Sequence, residues 1–409
     1  VPNLSVKNLC LKVMMLLYLT SVMNLKNPLV FGSGNLVYIN YFLVLFNLTL
    51  YPTIILWKSR LKIDTKMVFV LVSFILLLPS VIFSESPDVS GMKFISFSLT
   101  FLSIYFMFLN VNGLCAERRA IIEKGIMNCN RLLLVISFFI FVVGLGYTVN
   151  DTGFSGVLNH PQAFGILLIL FLLNELLFIE YRSHSHWSYL FIVVILFLAY
   201  LTESRLSFFT CLILVISYAT CKVRFTIKNT ILYISFFFVA MIFVSDALEI
   251  LFSVLSKSGR STAEGLSVFV NSRGFLFEAS IQNFLDNKLT GIGFQISNGK
   301  YGSYEMIVQR IDFLNLPISA SIEKGVFWSA LFEETGILGF LAFVFLLASI
   351  LVNTPFLFKL MVTLCITLIG MGEAFYFSVS GIGLFFWLYL FMLNSIYSNS
   401  HDSSAMVTK

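Results

Sequence analysis

NSRGFLFEASIQNFLDNKLTGIGF, residues 271–294, runs on to EKGVFWSALFEETGILG, residues 323–339, and these two stretches decide how the chain is read. They belong to the one long polar segment, 249–325, of an otherwise oily sequence, and the second opens a new apolar run. Of 409 residues, 58% are hydrophobic and 11% charged, and mean hydropathy is +0.92. Soluble domains carry about 25% charged residues, so a soluble globular chain is excluded. One large charged loop among apolar helices is a working surface at a lipid–water boundary, and the chemistry is expected there.

Apolar runs recur near the roughly 20 residues that a helix needs to cross a bilayer. They predict spans at 9–24, 37–57, 67–84, 92–112, 132–149, 162–180, 188–202, 206–220, 230–248, 326–352, 359–377 and 380–396. The fold class is therefore all-α: a polytopic integral membrane protein of about twelve transmembrane helices. Its expected organisation is an N-terminal bundle over 1–248, the large loop over 249–325, C-terminal helices over 326–396 and a tail over 397–409. VMMLLYLTSVMNL, after Lys7 and Lys12, has no A-x-A-like cleavage site behind it and is expected to be an uncleaved first helix.

Basic residues set the orientation. Lys58, Arg60, Lys62 and Lys66 fall in one expected loop, Arg118, Arg119, Lys124 and Arg131 in a second, and Lys222, Arg224 and Lys228 in a third. Arg182 and Lys359 mark two more on the same side, whereas SESPDVS (84–90) and NDTGFSGVLNH (150–160) on the other side are acidic or nearly neutral. The positive-inside rule makes the basic side cytoplasmic, with both termini inside and the 249–325 loop outside. The net charge of +5 is explained by these dispersed residues and is no nucleic-acid signal. Six cysteines without a CxxC pair indicate neither a disulfide framework nor a zinc site.

Several residues of the outer face can carry chemistry. Arg205, in LTESRLSFF between two spans, needs an anion, because an unpaired guanidinium at a helix end in the membrane costs a few kcal/mol. Glu203, water or a ligand could each supply the balance. Ser272 is a candidate N-cap for a helix whose Phe277, Ile281, Phe284 and Leu285 form an apolar stripe, which lays it along the membrane surface. Arg273 then sits in the first turn, where a bound phosphate would offset its clash with the helix dipole; a solvated arginine is the other reading. Arg260, in SKSGRST, reads as a solvated residue or an additional phosphate ligand.

Glu323 and Lys324 stand at the mouth of the 326–352 span, either as an interfacial anchor or with Glu323 as a general base toward a hydroxyl. Glu333 and Glu334 are expected deeper in that span and Glu373 near the outer end of 359–377, lining a substrate cavity or paired structurally. Gly336 and Gly339 read as close-packing positions. His160, before Pro161, caps a helix or binds substrate. No HExxH, P-loop, GxSxG or DxD-like cluster occurs, so no metal or nucleotide chemistry is indicated.

NHPQAFG (159–165), ESRLS (203–207), the 271–294 stretch and the 323–339 stretch, in this order around one large loop, resemble the bacterial O-antigen polymerase and O-antigen ligase superfamily. The resemblance covers about 159–345. It implies a GT-C-like helical glycosyltransferase of the inner membrane, its large loop periplasmic, that needs no metal or cofactor. Donor and acceptor would be oligosaccharides on undecaprenyl diphosphate, with membrane lipid and a chain-length regulator protein as further partners. By the match, Arg205 and Arg273 hold the diphosphate, with Arg260, Lys324, His160, Glu334 and Glu373 as substrate-binding candidates. Ligases of this family place a histidine near the end of the loop. This chain reads Ile322, Glu323, Lys324, Gly325 there, which favours a polymerase with Glu323 as the base. A ligase and a transporter of lipid-linked sugars are the competing readings. Tyr301, Tyr304 and Trp328 are candidate sugar-stacking residues, with interface anchoring as their alternative.

Overall fold

The computed structural model describes residues 2–27, 37–58, 64–112, 116–147, 153–182, 186–222, 278–296, 301, 307–311, 316–321, 326–379 and 381–397. Eleven long helices lie among them: α1 (Pro2–Asn24), α2 (Val37–Lys58), α3 (Thr65–Ile82), α4 (Pro87–Asn112), α5 (Ala116–Val142), α6 (Pro161–Tyr181), α7 (His186–Leu201), α8 (Arg205–Lys222), α9 (Phe327–Leu351), α10 (Phe356–Gly370) and α11 (Gly381–Tyr397). A shorter helix occupies 278–286. An antiparallel ribbon pairs β1 (Ile307–Ile311) with β2 (Leu316–Ser321) and adds a small strand element to the expected helical fold. Each long helix overlaps one expected span; the span at 230–248 lies outside the described residues.

Six of these segments are long and apolar enough to cross a membrane: Thr65–Ile82, Pro87–Leu109, Arg119–Val142, Pro161–Tyr181, Arg205–Lys222 and Phe327–Leu351. The side chains are arranged accordingly. On α3, Val68, Leu71, Ile75, Leu78 and Ile82 point outward while Ser73 and Ser80 are buried. That is the reverse of a soluble amphipathic helix and suits a hydrocarbon solvent with small polar residues at helix contacts. Two mostly apolar helices, α6 and α11, form the centre, with almost every residue of both buried.

Polar ties fasten this centre at one end of the bundle. Arg131 of α5 forms a bidentate pair with Glu175 of α6 (2.8 and 2.9 Å) and donates to Ser188 of α7. Arg182, after α6, pairs with Glu123 of α5, and Lys222 pairs with Glu180. Tyr18 donates to Asn130, which donates to Tyr389, while Tyr397 donates to Asn174. Lys66 donates to Asn394, and Asn394 donates in turn to the Ile350 carbonyl. The basic residues Lys66, Arg182 and Lys222 thus share the end remote from the loop segments.

Two boundaries differ from expectation. The 132–149 span is displaced: α5 begins at Ala116 and ends at Val142. Gly144 (φ 76°) terminates it with Gly144 N–H donating to Phe141 and Leu145 N–H to Ile140, a Schellman closure that uses glycine's left-handed freedom. Arg131 and Lys124 therefore sit on a helix rather than in a basic loop, and Arg131 is an interior ion-pair partner, not an orientation determinant. The 359–377 span is shorter, because α10 stops at Gly370, where the Trp328 indole lies too close for a side chain.

Glu175 is almost fully buried. Replacing it with alanine leaves the Arg131 guanidinium without its carboxylate, and a loss of roughly 3–5 kcal/mol of stability is expected. Thermal unfolding in detergent checks this; Glu175→Gln should lose less because it keeps an acceptor.

Candidate functional site at the loop end of the bundle

The loop segments gather at the opposite end, around a break in α9. Gly336 has φ 61° and ψ −159°, a backbone region essentially confined to glycine, and it splits the helix into arms 327–335 and 337–351. Phe332 stacks on Phe340 at 5.2 Å between centroids, and Phe327 meets Phe343 at 4.8 Å. Residues eight apart on a straight helix are about 12 Å apart along its axis, so the arms fold back on each other. The expectation of one continuous 326–352 span is corrected to a helical hairpin, with Glu333, Glu334, Thr335 and Gly336 at its tip rather than deep in the bundle.

Breaking a helix frees carbonyls on one side and N–H groups on the other. A single segment, 288–293, partners two groups from each set. Ile292 and Gly293 N–H donate to the Glu333 and Glu334 carbonyls (2.9 and 3.0 Å), while Ile337 and Leu338 N–H donate to the Lys288 and Leu289 carbonyls (2.9 and 3.2 Å). Gly291 lies so close to the Glu334–Thr335 backbone that a Cβ would overlap it. Gly293 packs on Ser84, Phe294 N–H donates to the Ser80 carbonyl and Glu85 N–H to the Ile292 carbonyl, which ties the same segment to the end of α3.

Side chains lock the preceding helix onto the tip. The Glu333 carboxylate, buried to 3% exposure, accepts from Ser280 Oγ (2.8 Å) and Asn283 Nδ2 (2.7 Å), and Phe284 meets Phe332 edge-on. The 278–286 helix therefore turns its small polar residues toward the protein. Sequence reasoning grouped Glu333 with Glu334 without separating their roles. A signal was present: Ser280 and Asn283 lie three apart, on one helical face, opposite a buried acid.

Arg205 opens α8 at this same end and is exposed; among the described residues its guanidinium has no ion pair or hydrogen bond. Its turn is fixed from below. Glu203 adopts a left-handed φ of 52°, Ser204 N–H donates to Thr202 Oγ1, and Ser204 and Ser207 share a hydrogen bond at 2.9 Å. Leu206 packs against Gly372, so Arg205 and Glu373 sit on adjoining elements. Glu373 lies in the turn after α10, half exposed, not on a transmembrane helix. An exposed guanidinium at a helix N-terminus, where the first N–H groups carry partial positive charge, has the charge that suits an anion.

The other candidates divide. His160 is the N-cap of α6, its Nδ1 accepting from Gln162 N–H at 3.2 Å, with the ring exposed at the loop end. Glu334 is buried at the hairpin tip, and its main-chain carbonyl accepts from Gly293 N–H. Trp328 is no open stacking platform: its indole donates to the Thr367 carbonyl and packs on Phe343. Tyr301 donates to Asp286. Arg273, Arg260, Glu323, Lys324 and Tyr304 lie outside the described residues. Lys93 and Gln295, which sequence reasoning did not single out, bridge α4 through the 295 carbonyl to the Phe377 carbonyl. Among the described residues no group of three or more His, Cys, Asp or Glu is placed to hold a metal ion. No family model and no curated protein matches the chain.

Two substitutions test this construction. Gly336→Ala places a Cβ 2.5 Å from the Leu289 carbonyl and forces alanine into a glycine-only backbone region. A loss of about 1–3 kcal/mol from the backbone alone is expected, plus the overlap, read as a lowered Tm in detergent. Glu333→Ala strands two buried donors, each worth about 1–3 kcal/mol; hydrogen exchange should speed up across 278–286 while α6 keeps its protection, with Glu333→Gln intermediate.

Proposed function

We propose that this protein is a polysaccharide polymerase of the O-antigen, capsular or exopolysaccharide type. It would join undecaprenyl-diphosphate-linked oligosaccharide repeats at the periplasmic face by metal-independent, inverting glycosyl transfer on a GT-C-like, twelve-span scaffold. The observation that carries this reading is Arg205: an exposed guanidinium without a described partner, on a helix N-terminus, at the end of the bundle where the loop segments converge. The shared location of Lys66, Arg182 and Lys222 at the other end supports an orientation with the loop end outward and both termini cytoplasmic.

In this reading the polyprenyl tails stay in lipid and the sugars occupy the loop end. Arg205 and Arg273 bind the donor diphosphate and stabilise the negative charge that grows on the leaving oxygen. A hydroxyl of the acceptor repeat attacks the anomeric carbon, its proton passing to Glu323, and the carbon–oxygen bond to the diphosphate breaks with inversion. His160 and Glu373, at the same end, fit substrate contacts; Lys324 and Arg260 would complete the anion environment.

The interruption of α9 is the one feature that favours a transporter, since carriers use broken helices to bind cargo. Here two carbonyls of the first arm and two N–H groups of the second are engaged by the 288–293 backbone, so protein rather than cargo partners them. The ligase reading rests on the resemblance alone and has no histidine near the loop end to support it.

Arg205→Ala should reduce chain extension by roughly 10²–10³-fold, the scale of removing one preorganised charge-stabilising group, with membrane content unchanged. Polysaccharide banding from a complemented deletion strain reads this directly. A single attached repeat in the deletion identifies a polymerase, no attached repeat identifies a ligase, and a normal ladder from Arg205→Ala removes the assignment.

A further inference from the structure

The 278–289 segment has three faces rather than two. Ser280 and Asn283 face inward onto Glu333. Glu278, Gln282 and Asp286 form an exposed polar edge, with Tyr301 donating to Asp286 on that side. Ile281 and Leu285, one helical turn apart, are 53% exposed each, and Leu289, in the turn that follows the helix, is 62% exposed. Phe284, expected in that stripe, turns onto Phe332 instead, and Leu289 extends the row.

The apolar edge does not end at the loop. The Lys288 and Leu289 carbonyls accept from Ile337 and Leu338 N–H, so Leu289 stands beside the start of the second α9 arm. Ile337, Leu341 and Val344 continue down that arm, exposed on one face at i, i+4 and i+7. That row lies on the second arm of a segment, Phe327–Leu351, that is apolar enough to enter a membrane.

We infer that residues 281–289 are a membrane-immersed element of the loop, with Ile281, Leu285 and Leu289 seated among bilayer acyl chains and Glu278, Gln282 and Asp286 at the water side. The partner is bilayer lipid, identified by the unbroken apolar row and by the polar edge one helical step away. An interfacial helix of this kind sinks its apolar edge about 5–10 Å below the headgroups. The immersion holds whichever reaction the site performs.

The test adds one tryptophan to the purified full chain in phosphatidylcholine vesicles. Emission above that of the parent, which has four tryptophans, is followed with acyl-brominated lipid and with aqueous iodide. Leu285→Trp and, as a second variant, Ile281→Trp should lose roughly half or more of the added emission to brominated lipid and little to iodide, as expected for a ring at acyl depth. Gln282→Trp should show the reverse. Quenching of 281 and 285 by iodide, as at 282, overturns the inference in favour of a solvated loop. Shielding from both quenchers overturns it in favour of a protein partner or a second copy of the chain.

Discussion

A helix interrupted among apolar neighbours must find partners for every backbone group the interruption releases, because no water is at hand to supply them. The whole loop end answers that requirement. Gly336 permits the reversal of α9, and 288–293 is the segment that makes the reversal tolerable, its carbonyls meeting one arm and its N–H groups the other. Glycines at 291 and 293 are then explained together: each sits where a side chain would strike the hairpin tip or the end of α3. The position of the 278–286 helix follows from the same contact, since Glu333 projects from the tip to receive Ser280 and Asn283.

The remote end is governed by a different constraint. Van der Waals packing and interhelical polar contacts hold membrane helices together, since lipid offers apolar side chains as good a solvent as the protein does. The centre accordingly combines mostly apolar helices with a few partnered charges and amides, such as Arg131 with Glu175 and Asn174 with Tyr397. At the opposite end Arg205 stays exposed without an ion pair among the described residues.

The spans were legible because apolar runs and their lengths follow from bilayer thickness alone, and the eleven described helices overlap the runs that predict them. Their ends were less so. Arg131 reads as a loop residue by composition; only the approach of Glu175, 44 positions later, makes it an interior residue. Gly336 reads as a packing glycine because its neighbours ILG and FLA continue the apolar run. The adjacent Glu333–Glu334 pair, with glycine two places on, was the local mark of a helix end. Glu373 was misplaced for a related reason: hydropathy runs on past Gly370, whereas the helix stops where Trp328 crowds it. Arg205 and His160 were legible as end-of-helix residues, one from its place between two apolar spans and the other from Pro161 after it. The partnership of Glu333 with Ser280 and Asn283 depends on tertiary approach across about fifty residues of chain and left only a faint pattern.

The order of the hairpin's parts along the chain has a consequence for biogenesis. Phe327–Leu351 is long and apolar enough, over its 25 residues, to enter the membrane as a single span despite the Glu333–Glu334 pair at its break. The segment that caps its break lies some forty residues upstream and on the far side of the membrane in the proposed orientation. In that orientation the reversal at Gly336 is completed only when the loop that supplies the capping backbone has crossed and docked. A variant that slows docking would then accumulate as a correctly threaded chain whose loop end is still open.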